Sequence, residues 1–305
     1  MCGCTTPMWR PRRPRYRIDP PWRWSTLLRI NNWAVYQLFK YAVYIFLAVN
    51  VYLFFADEYG AAQLQFAEGV ALGQIIEAYA ATIDTAAWVV LLLMFELETY
   101  ALEDEQFTPP VQWSLHGLRV LCYGFIGYAF YGYIANVAYL SDVSPVAGLS
   151  NLCALADGAW SYAVTLDEFA AITAANCATF SEAASFLQIS DINAVVDQTG
   201  LQDIRALAWV DVINAGVWIL VVLILEFDVR MQERGILEGA ALKFSNVIKF
   251  VLYSILFLAA VYWGFKGDFV DFWDAFLWLV AFFFIEMNVV EWRKEDRETE
   301  LPAAD

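Results

Sequence analysis

The chain is 305 residues long, 60% hydrophobic and 17% aromatic, with a mean hydropathy of +0.50 and a formal net charge of −16. Soluble domains average about 45–50% apolar residues, so the composition excludes an ordinary soluble fold. The acidic balance excludes nucleic acid as a main partner.

Residues 1–32 form a basic, Pro- and Trp-rich arm with seven Arg and no apolar core. A secretory signal needs such a core after its charges. The arm is expected on the inner leaflet, with Arg on anionic lipid headgroups and Trp at the interface.

Six apolar stretches follow, near 33–56, 80–102, 117–140, 207–227, 244–264 and 270–291. Crossing a bilayer takes roughly 20 such residues. They divide into hairpins at 33–105, 106–235 and 236–293, ending in a tail at 294–305. No proline falls inside a stretch, so straight helices are expected.

The hairpins share two patterns. The first helix of each carries a base with Tyr one turn later: Lys40 and Tyr44, Arg119 and Tyr123, Lys249 and Tyr253. The second carries an acid or amide, Trp four later and Glu eight after that. These are Asp84, Trp88 and Glu96; Asn214, Trp218 and Glu226; Asp274, Trp278 and Glu286. Two residues past each Glu stands Glu98, Asp228 or Asn288, and Asp211 and Asp271 match between hairpins two and three. Internal repeats define an architecture before any local reading does. The fold class expected is an all-α integral membrane protein, with six transmembrane helices as three hairpin repeats in pseudo-threefold symmetry.

Depth along the helices places Lys40 level with Glu96, Arg119 with Glu226, and Lys249 with Glu286, each about 10 Å inside the membrane edge at 1.5 Å per residue. A lone charge there costs at least ~2.5–3.5 kcal/mol, so bases and acids are expected to pair in one layer, with Glu96 meeting either Lys40 of its own hairpin or Arg119 of the next. The Trp positions lie about 12 Å further out. Asp84, Asp211, Asn214, Asp271 and Asp274 then form an outer acidic layer. Glu96 and Glu98 differ by about 200° around a helix and cannot share a face.

Loop 141–206 is expected to be a small helical external domain, because LDEFAAITAANCATFSEAASFLQ has apolar residues at three- and four-residue spacing. Its Cys153 and Cys177 are expected to bridge, closing a loop worth roughly 3 kcal/mol. Thirteen Lys and Arg lie on the side of the termini and two on the side of this loop. The positive-inside rule therefore puts both termini in the cytoplasm and the loop outside, in a bacterial-type inner membrane.

His116 is the only histidine, and there is no Walker loop, dinucleotide fingerprint or nucleophile elbow. No enzyme, cofactor or metal centre is expected. The tripartite plan is similar in outline to that of mitochondrial carriers. Their signature, a proline with an acid two residues on and a base three later, is missing at the ends of the odd helices, and no function is carried over. The function expected is a cation or proton channel or transporter built on the three Glu and their bases. The alternative is a non-conducting scaffold or accessory subunit with a membrane-protein partner.

Overall fold

The computed structural model describes residues 26–65, 69–98, 108–146, 148–149, 151–156, 158–183, 185–189, 192–233 and 239–300; within these, the side chains of 26–34, 36, 65, 77, 229, 232–233 and 285–300 are not described. Most of the basic arm, the tail beyond 300 and the side chain of Glu286 lie outside the described residues.

The helices are α1 (Thr26–Gln65), α2 (Ile75–Ala78), α3 (Ala80–Glu96), α4 (Pro109–Tyr139), α5 (Gln198–Glu233), α6 (Gly239–Lys266) and α7 (Phe269–Glu300). Pro109 and Pro110 occupy the first turn of α4, where a missing N–H costs nothing. Gly267, at φ 84°, makes the tight turn between α6 and α7.

The six long helices close a ring in chain order: α1 on α3, α3 on α4, α4 on α5, α5 on α6, α6 on α7, and α7 back on α1. Cross-helix contacts show that neighbours run antiparallel. On α1 and α3, Lys40 meets Glu96 while Glu58 meets Thr82. On α4 and α5, Tyr123 meets Glu226 while Arg205 reaches the carbonyl of Leu140. Between α2 and α4, Gly132 lets the backbones close up, because a Cβ there would sit 3.0 Å from the Ile76 carbonyl oxygen.

Among the described residues, four helices are long and apolar enough to cross a membrane: Gln37–Leu64, Pro109–Tyr139, Gln198–Asp228 and Gly239–Lys266. They point to a membrane protein, and their outward faces carry Leu38, Ile45, Val120, Leu223, Phe250 and Phe257, all open. Six spans were expected. Of the second candidate, 80–102, α3 supplies 17 residues, about 26 Å at 1.5 Å each, and 99–102 lie outside the described residues. The sixth lies in α7, whose described side chains end at Phe284.

The all-α expectation is corrected by a five-stranded sheet in the segment between α4 and α5. Its strands are β1 (Val143–Pro145), β2 (Ser161–Ala163), β3 (Phe169–Ala171), β4 (Phe186–Ile189) and β5 (Ala194–Asp197), in the order β1-β4-β5-β2-β3. Only the β2–β5 pair is parallel. The sheet works because β5 alternates between two apolar layers. Val195 packs with Leu152, Ile172, Cys177 and Phe186 on one face. Val196 packs with Leu140, Ile189, Leu201 and Ile204 on the other, against the ends of α4 and α5. The stretch expected to be helical supplies β3, β4 and a run of turns instead. Asn176 receives the Thr173 N–H at 2.8 Å and donates to the Ala171 carbonyl at 2.9 Å. Such side-chain bonds to backbone compete with helix, and pairing with β2 and β5 overrides the alanine-rich propensity. The Cys153–Cys177 disulfide is present, as expected, across 24 residues.

Candidate functional site: an acid-lined interior below the sheet domain

The ionisable repeat positions fall into two layers. At the end of the ring away from the sheet, Lys40 donates to Glu96 at 2.6 Å, and Tyr44 reaches the same carboxylate at 3.4 Å. The second and third bases meet acids two positions past a repeat Glu, while the side chain of Glu286 lies outside the described residues. Arg119 forks onto both oxygens of Glu98 at 2.9 and 2.8 Å. Lys249 pairs with Asp228 at 3.2 Å, and Ser245 donates to that carboxylate at 2.6 Å. Glu226 is taken by Tyr123 at 3.3 Å and Arg230 at 3.2 Å.

Depth alone leaves the pairing open, and it is set by the faces along which neighbouring helices meet. Glu96 turns to α1 while Glu98 turns to α4, consistent with the wide angle between them. The bases of α4 and α6 therefore reach back to the hairpin before them, at the position two past its Glu. The corresponding residue for Lys40 is Asn288, which carries no charge. Lys40 pairs within its own hairpin. Lys40 is fully buried and Lys249 nearly so.

One step toward the sheet, the three repeat Trp meet inside the ring. Trp278 lies 6.4 Å from Trp88 and 6.5 Å from Trp218, edge to face. These helices, α3, α5 and α7, are not neighbours in the ring, so their Trp face its centre. Around and below them, Leu47, Leu92, Val221, Leu256, Ala281 and Phe282 fill the interior. Tyr253 stands beside Trp218 at 6.5 Å. This is a packed apolar floor of the kind found in protein cores.

Above the floor the interior turns acidic. Asp84, Asn214 and Asp274 each lie one helical turn from their Trp. Trp88 is turned toward Asp84 and Trp278 toward Asp274. Asn50 on α1 donates to Asp274 at 2.8 Å, and Tyr133 on α4 donates to Asp84 at 3.4 Å. Asp211 faces Trp263. Asp268, just before α7, and Asp271 and Asp274 on it recur every three residues, a ladder from the sheet down to the Trp floor. Asp167, from the turn between β2 and β3, completes its top. The carboxylate oxygens of Asp167, Asp268 and Asp271 lie within 4.8 Å of one another. Three oxygen donors suit a hard cation such as Ca2+, although solvent-open acids also cluster without one. Asp167 keeps an exposed side chain, but crowding by the surrounding protein and then repulsion from Asp268 and Asp57 push its pKa up to about 7.

Glu58 belongs to a different arrangement. It accepts the N–H groups of Ala81 and Thr82 at 2.8 and 3.0 Å and the Thr82 hydroxyl at 2.5 Å. It thus caps α3 from a neighbouring helix, where the N–H groups have no partner in their own helix. It also borders a cavity of about 60 Å³ roofed by Leu166, Asp167, Phe169 and Ile189 of the sheet domain.

None of the ion pairs among the described residues involves Asp84, Asp211, Asp271, Asp274 or Glu58. Sequence reasoning missed Asn50, Glu58, Tyr133, Asp167 and Asp268, because none occupies a repeated position. The period-three aspartates of 268–274 were the available signal. In comparison with known proteins, no family, no curated protein and no solved structure matches the chain.

Proposed function

We propose that the chain is a cation- or proton-translocating membrane protein, captured with its path closed. The sheet domain faces outside, both termini are cytoplasmic, and the three hairpins are copies of one unit. The observation that carries the reading is a set of carboxylates inside the outer half of the ring with no basic partner among the described residues. Charged groups inside a membrane protein are expensive and mark pathways by default. A ladder of three aspartates leads from the sheet to Asp274, and the Trp layer below is the closed gate. The inner pairs, Lys40–Glu96, Arg119–Glu98 and Lys249–Asp228, lock adjacent helices and lie beyond that gate.

A second reading has its own support. The inner acids are engaged by bases and tyrosines, and the interior is apolar at mid-depth. A non-conducting scaffold needs nothing more, since buried pairs can serve packing and register alone.

The test is cation and proton flux into liposomes holding the purified protein, under voltage and pH gradients. Trp278→Ala removes the central ring of the gate and is expected to raise flux over wild type. Adding Asp84→Asn and Asp274→Asn is expected to abolish it. No flux from folded wild type or from folded Trp278→Ala would sink permeation and leave the scaffold reading.

A further inference from the structure

We infer that Asp84, Asp274, Asn50 and Asn214 form a binding site for one divalent cation of calcium size, resting on the Trp layer. The inference deepens the translocation reading by naming where an ion pauses and what kind it is.

The donor set comes first. Two carboxylates come from α3 and α7, each one turn above a Trp of the central layer. Asn50, on α1 between them, is 1% exposed and spends its amide N–H on Asp274. Its carbonyl oxygen, Oδ1, is buried and has no hydrogen-bond partner. The same holds for Oδ1 of Asn214, which stands at the repeat position matching Asp84 and Asp274. Buried side-chain oxygens are rarely left unsatisfied, and each such atom calls for an explanation. A cation explains both, because carbonyl and carboxylate oxygens are its ligands and it needs no donated hydrogen.

The geometry of the layer supports convergence. Trp88, Trp218 and Trp278 touch at the centre, and the three repeat polar residues lie one turn above on the same helix faces. The indoles seal the lower side, so an ion there has protein oxygens around and above it.

Charge selects the ion. The two carboxylates carry two negative charges, and no described ion pair involves either. One divalent cation neutralises both. An oxygen-only set mixing carboxylate and amide carbonyl, with irregular geometry, fits Ca2+. Mg2+ demands a near-ideal octahedron and gives up its waters reluctantly. The ladder of Asp271 and Asp268 supplies a negative approach from the sheet side.

The experiment is equilibrium binding of calcium-45 to the purified full chain in detergent, in potassium buffer, with unfolding temperatures measured in calcium and in chelator. We expect saturable binding, a calcium-dependent rise in unfolding temperature, and weak competition by magnesium. Asp274→Asn and Asp84→Asn should each weaken binding roughly tenfold or more, since ligand charge count sets affinity in such sites. Asn214→Leu, which removes the unsatisfied oxygen together with the amide nitrogen at nearly constant volume, should weaken it without lowering the unfolding temperature in chelator. No calcium binding by folded wild type would overturn the site, as would binding unchanged by these substitutions. Calcium binding lost through Asp167→Asn with Asp268→Asn, but kept in Asp84→Asn with Asp274→Asn, would place the ion in the upper acids and overturn it too. Sodium binding in place of calcium would overturn the divalent assignment. Binding and flux are measured separately: calcium bound without flux would sink translocation and leave the site standing.

Discussion

The Lys249–Asp228 pair joins α5 to α6 at a point where both side chains are nearly sealed, at 7% and 1% exposure. Replacing Lys249 by Met keeps most of the side-chain volume and removes the charge facing Asp228. Breaking one side of a buried pair costs about 3–5 kcal/mol. Here the Ser245 hydroxyl still donates to Asp228 at 2.6 Å, and a hydrogen bond to a charged group is worth about 1.5–3 kcal/mol. That retained bond puts the expected loss near the lower end, about 3 kcal/mol. The double variant Lys249→Met with Asp228→Leu removes both charges, and apolar replacement of a whole pair is often neutral. It should regain most of the loss. The assay is reversible unfolding in mixed micelles, following tryptophan fluorescence against denaturant. A single-variant loss below about 1 kcal/mol would refute the claim that this pair is dry. A double variant no better than the single would refute the claim that the stranded carboxylate causes the loss. Arg119→Gln, against a more open pair with Arg119 at 24% exposure, should cost less than Lys249→Met.

Reduction of Cys153–Cys177, or Cys153→Ser with Cys177→Ser, should destabilise the sheet domain by about 3 kcal/mol on the loop-entropy model; hydrogen exchange across β2 to β5 measures it, and protection unchanged on reduction would contradict it. Gly132→Ala should destabilise the α2–α4 contact by about 1–3 kcal/mol, since the added Cβ meets the Ile76 carbonyl at 3.0 Å; an unfolding midpoint equal to wild type would show that the helices move apart freely. Asp167, with its folded pKa raised to about 7, binds its proton more tightly in the folded than in the unfolded chain. Folding is therefore favoured by acid: stability should fall as pH rises from the ordinary carboxylate range through about 7. Unfolding midpoints between pH 5 and 8, compared with Asp167→Asn, test the sign; a midpoint that rises with pH in wild type relative to the variant would reverse it.

The apolar helices were legible because their signals are local and periodic. Rows of Leu, Phe and Val in stretches free of proline specify long helices whatever surrounds them. Spacing of four between Asp84 and Trp88, or Asp274 and Trp278, places each pair on one face by helix geometry alone. The bridge of Cys153 and Cys177 followed from a pair of cysteines on one side of the charge asymmetry. The sheet was not legible, because its strands are three or four residues long. Each gains its stability from partners such as Ala194 opposite Ser161, far away in the chain. Which base meets which acid was also beyond the sequence. Lys249 is brought to Asp228, 21 residues away in the chain, by the packing of α6 against α5. The chain's own order thus determined the helices and the positions of the costly charges. Tertiary packing alone decided which charges are neutralised in pairs and which, at Asp84 and Asp274, have no basic partner in an ion pair among the described residues. The reason is that a hydrogen bond or ion pair acts over about 3 Å, a distance on which helix faces and ring order, not sequence spacing, bring side chains together.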